Sequence, residues 1–217
     1  MSPQMIDPLL LSLWQTIHMV VVSASIAAVL GIPLGVILLT TAKGHILENV
    51  PLNRVLGTIV NATRSVPFII LMVAIIPLTR LLVGTSIGTT AAIVPLSIAA
   101  IPFVGRLVEA SLKEIDYGLI EAALAMGASP FQIIRKVLLP ESLATIISGL
   151  TITTITLIGF SAMAGVIGGG GLGDLAIRYG YQRFQADVML ATVIVLLIMV
   201  QLVQSMGNYI ARRVNKK

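Results

Sequence analysis

The chain has 217 residues, 57% of them hydrophobic and 11% charged, with a net charge of +5. Soluble domains carry roughly 25% charged residues, so this composition excludes a water-covered globule and makes the bilayer the natural solvent. The basic balance does not indicate nucleic acid, because Lys and Arg sit in short segments between apolar runs, without a basic stripe interleaved with aromatics.

A membrane helix needs about 20 mostly apolar residues. Five such spans are predicted, within 9–40, 55–83, 86–112, 141–167 and 188–210. No Lys or Arg precedes the first, and its apolar run is too long for a signal h-region, so no cleaved signal peptide is expected. That span is long enough to tilt or to begin in the interface at Trp14, and Gly31-Ile-Pro33-Leu-Gly35 is expected to bend it. Gly31/Gly35 and Gly165/Gly169 have the small-xxx-small spacing that permits helix contact.

His18 and His45 are far apart and have no ligand cluster around them, so no metal site is expected. The chain has no cysteine, which excludes disulfides and thiol catalysis. Arg64 adjoins the second span, where an unpaired charge is expensive. Two readings stay open for it. It pairs with a loop carboxylate and supports the loop, or it snorkels to the cytoplasmic headgroups.

The segment 113–140 between spans three and four divides into two short helices. Asp116 is the expected N-cap of the first, and Gly127 suits its C-terminal turn. Ser129 caps the second, with Pro130 at its first helical position. Pro140 is expected to open span four, where Glu141 complements the helix dipole. Ala122, Ala123 and Ala125 leave room for close approach of a partner; an ordinary surface helix is the alternative.

Span four runs into Ser161-Ala-Met163-Ala-Gly165-Val-Ile-Gly-Gly-Gly-Gly-Leu-Gly173. Met163 suits a deformable plug or simple packing, and Ser161 could offer a hydroxyl to a pathway. Gly168, Gly170 and Gly173 match G-x-G-x-x-G, yet they follow a membrane span and not a strand, so they form no dinucleotide site. An irregular or re-entrant segment fits them better. No Walker A sequence occurs, so ATP chemistry must reside on another subunit.

Cations give the orientation. Lys43, Arg54, Arg106, Lys113, Arg135, Lys136, Arg212, Arg213, Lys216 and Lys217 fall on one side, with Arg64 assigned near them, against Arg80, Arg178 and Arg183 on the other. The N-terminus is therefore expected outside and the C-terminus in the cytoplasm. Five spans without an internal repeat are few for enclosing a pathway, which favours a homo-oligomer.

Glu121-Ala122-Ala123, Gly127, Val137 and Leu139-Pro140 resemble the EAA loop of ABC importer permeases, with Val137 where that family usually has isoleucine. Further stretches, Arg64-Ser65-Val66-Pro67-Phe68, 83–88, 91–96 and 159–163, resemble methionine ABC transporter permeases. The resemblance implies one all-α permease domain over 1–217, of the type I importer fold, in the bacterial inner membrane. It implies five transmembrane helices, and a cytoplasmic coupling helix within 113–140 that seats on the ATPase. It further implies a homodimer, two ATPase subunits that hold ATP and Mg, and an extracytoplasmic substrate-binding protein.

The chain is then expected to be no enzyme and to hold no cofactor. It forms the pathway for an amino acid, methionine in its D and L forms, with another amino acid or small solute as the alternative. A stand-alone carrier would need acidic or ion-binding residues inside the spans, where carboxylates are almost absent and Glu109 lies near a cytoplasmic end. An intramembrane enzyme would need a nucleophile with a base, or paired carboxylates, and neither occurs there.

Overall fold

The computed structural model describes residues 5–215; Lys216 and Lys217, counted in the orientation argument, lie outside them. The described chain is helical throughout its regular structure. Four helices are long and apolar enough to cross a membrane: α1 (Ile6–Thr40), α5 (Thr89–Lys113), α9 (Leu143–Val166) and α11 (Ala186–Val214). Between them lie α2 (Val50–Ser65), α3 (Phe68–Ala74), α4 (Ile76–Val83), α6 (Tyr117–Ala125), α7 (Pro130–Ile133), α8 (Leu139–Glu141) and α10 (Gly171–Leu175). Ile134–Leu138 and Ala176–Tyr181 are π-helical.

The second predicted span is not one helix. α2 and α3 meet at 104°, and as a pair they are long and apolar enough for a fifth, broken crossing. The cause is local: Pro67 disfavours helical geometry at the residue before it, and Val66 is extended, at φ −81° and ψ 126°. By contrast α1 stays one helix through Pro33. Its Gly31 and Gly35 serve contact with α5. A Cβ on Gly31 would stand 2.6 Å from Val104 Cβ, and one on Gly35 2.6 Å from the Gly105 carbonyl oxygen. Gly165 likewise lies against Gly173 and Asp174, whereas Gly169 lies beyond the helix, so that pair forms no helix seam.

The core sits between α1, α5 and α9, around Met19, Leu96, Val104, Val108 and Leu157. Large apolar side chains on α1 and α11, such as Val29, Leu30, Leu197 and Leu202, remain exposed, as a bilayer permits. At one end of the bundle the glycine run turns back irregularly, with positive φ at Gly168, Gly170 and Gly171. Gln15 Oε1 accepts from the Gly171 N–H at 2.8 Å, and Thr16 Oγ1 from the Leu172 N–H at 2.9 Å. These bonds fasten α10 to α1 and satisfy the amides that begin α10.

Pro140 does not open span four. It lies inside the three-residue α8, after the π segment and before Ser142, where α9 begins. Without an N–H, Pro140 cannot donate back along the helix, and the wider π turn precedes it. The Ser142 hydroxyl donates to the Leu138 carbonyl at 2.7 Å and holds this join.

Candidate functional site

The loop between α5 and α9 is built by its own caps. Asp116 Oδ1 accepts from the Gly118 N–H at 2.8 Å and starts α6. Gly127 ends it at φ +76°, a conformation that glycine adopts without strain. The Gly127 N–H donates to the Leu124 carbonyl, and the Ala128 N–H to that of Ala123 at 3.0 Å, the Schellman closure. Ser129 and Gln132 then form a reciprocal capping box for α7, with Pro130 at its first turn. The two short helices expected here are present, the second running on into the π segment.

Which loop residues face outward was only partly legible. Ala123 is 5% exposed and belongs to the core beside Ile120 and Ile133, so it is not open to a partner. On α6, with about 3.6 residues per turn, Ala123 turns inward while Glu121, Ala122 and Ala125 are exposed; farther on, Val137 and Leu139 are half-buried. Pro140 is exposed. Glu121 makes no hydrogen bond or ion pair among the described residues, so it does not brace the loop. Instead, Met126 is 82% and Phe131 69% exposed. Leu119 and Leu124 of the same loop are exposed as well, at 46% and 44%. The EAA pattern does not include them, and in a loop this rich in apolar residues the sequence does not single them out.

The loop is also tied to the rest of the bundle. The Tyr117 phenol donates to the Gly44 carbonyl at 3.1 Å, and its ring meets His45 edge-on at 6.1 Å. Burial and the neighbouring Lys113 charge hold the His45 pKa below its usual 6.5. At the end of α5, Glu109 is buried and accepts from Arg106 at 2.5 Å and Lys113 at 2.6 Å. Arg106 also donates to Asn61 Oδ1 at 2.9 Å and to the Gly57 carbonyl at 3.2 Å, which joins α5 to α2.

The two residues expected to line a pathway on α9 separate. Ser161 is 2% exposed, and its hydroxyl donates to the Ile158 carbonyl of its own helix at 2.7 Å. It is therefore not a pathway group. Met163 is 47% exposed. Two residues turn a helix by about 200°, so adjacent odd positions cannot share a face.

Arg64 does not pair with a loop carboxylate among the described residues. Its guanidinium carbon stands over the Phe103 ring at 5.8 Å, and no ion pair joins it to a carboxylate among the described residues. It borders an open cleft of about 210 Å³ with Thr63, Phe103, Thr156 and Phe160. Arg64 lies three residues beyond Asn61 on α2, the residue that accepts from Arg106. Among the described residues no group of His, Cys, Asp and Glu could hold a metal.

Comparison with known proteins gives these features a context. A family model described as a binding-protein-dependent transport system inner membrane component matches residues 31–216. A protein of Vibrio cholerae, described as a probable D-methionine transport system permease protein MetI, is 60% identical over 211 residues, 97% of this chain and 94% of that one. Its Pasteurella multocida counterpart is 49% identical, covering 98% of each chain. A solved chain from inward-facing conformations of the MetNI methionine ABC transporter matches with a TM-score of 0.98 at 50% identity, over 100% of both chains.

Proposed function

Because the chain belongs to the family of binding-protein-dependent transport system inner membrane components, we propose that it carries methionine, in D and L forms, across the bacterial inner membrane. It is the permease subunit of an ABC importer, an all-α multi-pass membrane protein of the type I importer fold, and ATP hydrolysis belongs to a separate subunit. The observation that carries the substrate reading is the likeness over nearly the whole chain, at 60% identity, to a permease described by D-methionine.

The working assembly is a homodimer of this chain with two ATPase subunits, which bind ATP and Mg, and an extracytoplasmic binding protein that delivers the solute. The N-terminus faces outside and the C-terminus the cytoplasm, as the cation asymmetry supports. One permease domain, 1–217, contains the coupling loop 113–140. In that loop Glu121, Ala122 and Gly127, with Val137, Leu139 and Pro140 behind them, present the apolar surface of Met126 and Phe131 to the ATPase. Met163 closes the outer side of the pathway.

The test is reconstitution of the chain with its ATPase and binding protein in liposomes. ATP-dependent accumulation of both methionine enantiomers is expected. Accumulation of another amino acid in their place removes the substrate assignment. Accumulation by this chain without the ATPase removes the importer assignment.

A further inference from the structure

We propose that the cleft around Arg64 is a substrate subsite within the permease, one that grips a zwitterionic amino acid with an apolar side chain by its carboxylate. The inference rests on the amino-acid importer reading above and names where this chain recognises its cargo.

The cleft lies beside the middles of α5 and α9. Its walls include Ala100, the twelfth of the 25 residues of α5, and Thr156, the fourteenth of the 24 residues of α9. Arg64 stands fourteen residues beyond the start of α2, about 21 Å along the helix at 1.5 Å per residue. The break between α2 and α3 follows immediately, at Val66 and Pro67. The break leaves backbone irregular beside the cleft, as happens within membrane proteins where backbone lines a cavity. The cleft is small, about 210 Å³, less than the roughly 300–1,000 Å³ of drug-sized pockets, so only a small solute fits it.

The chemistry of the walls selects the ligand. A guanidinium beside membrane spans is costly without a counter-charge. Arg106 has Glu109 and Arg178 has Asp174, but no Asp or Glu lines this cleft. The missing anion must come with the ligand, and a carboxylate matches the guanidinium fork. The hydroxyls of Thr63 and Thr156 donate to the Ile59 and Ile152 carbonyls, each at 2.9 Å. With their protons committed, these oxygens present lone pairs, which accept from an ammonium group. Phe68 and Phe160 stack with centroids 4.4 Å apart and planes 2° from parallel, an apolar end for the side chain. Sulfur against aromatic rings is favourable there.

The experiment measures binding of radiolabelled L-methionine to the permease–ATPase complex in lipid nanodiscs, without the binding protein. Unlabelled methionine should displace the label, and methioninol, which lacks the carboxylate, should not. Arg64→Ala should weaken binding about 10- to 100-fold, the loss of a charge-assisted contact, with Arg64→Lys in between. In liposomes with the binding protein, Arg64→Ala should lower uptake while binding-protein-stimulated ATP hydrolysis persists, which a merely structural defect would not spare. Absence of methionine binding by the wild-type complex overturns the proposal, as does equal displacement by methioninol or unchanged binding in Arg64→Ala. If neither variant assembles, the methioninol comparison on the wild type decides. If the wild type imports a different amino acid, the substrate reading fails, and the Arg64 comparison is made with that amino acid and its alcohol.

Discussion

Gly207 on α11 passes so close to Thr151 on α9 that a Cβ on the glycine would stand 2.0 Å from the threonine hydroxyl oxygen. The absence of a side chain sets how closely these two helices cross. Gly207→Ala should therefore destabilise the fold by about 1–3 kcal/mol, the usual cost of overpacking. Thr151→Ala should restore part of that loss, because it removes the two nearest atoms and leaves the Cβ at 2.7 Å. Thermal unfolding of the three variants in one detergent checks this; no rescue by Thr151→Ala would place the strain elsewhere.

The loop surface and the loop core should respond differently. Met126→Asp with Phe131→Glu charges exposed apolar positions, so the permease should fold and insert as before while ATPase co-purification drops several-fold. Ala123→Trp overpacks a buried position, at roughly 1–3 kcal/mol, and should lower the stability of the permease itself, with or without the ATPase. Normal ATPase recovery in the charged double variant would make this surface a bystander.

His45 makes the loop contact sensitive to pH. Because its pKa in the fold lies below the usual 6.5, its neutral form is the one the fold favours. That stabilisation is present above pH 6.5 and is lost as pH falls through the lowered value. Amide exchange in 41–49 and in α6 should quicken on acidification from pH 7.5 to 5. His45→Gln, which cannot titrate, should flatten the dependence; an unchanged profile would assign it to other groups.

The gate proposed at Met163 is tested against its buried neighbour Ser161. Met163→Ala should raise ATP hydrolysis relative to uptake, since a smaller side chain closes less firmly. Ser161→Ala removes a hydroxyl bonded within its own helix and should leave the ratio of hydrolysis to uptake unchanged. Equal ratios for Met163→Ala and wild type, measured in the same liposomes, would return Met163 to packing.

Run length and local hydrogen bonding are written along the chain, and those features were legible in it. Apolar length marked the membrane crossings, Asp116, Gly127 and Ser129 marked the ends of the loop helices, and the glycine run marked an irregular return. Each depends on neighbours within a few residues. The inward turn of Ala123, the burial of Ser161 and the place of Arg64 were decided by tertiary packing. A helix shows every residue to some direction, and only the elements that cover it, distant in sequence, determine which directions are core, cleft or open. By apolar length 55–83 reads as one span; Pro67 broke it, and the middles of α5 and α9 made that break the wall of a cleft with a guanidinium at its edge.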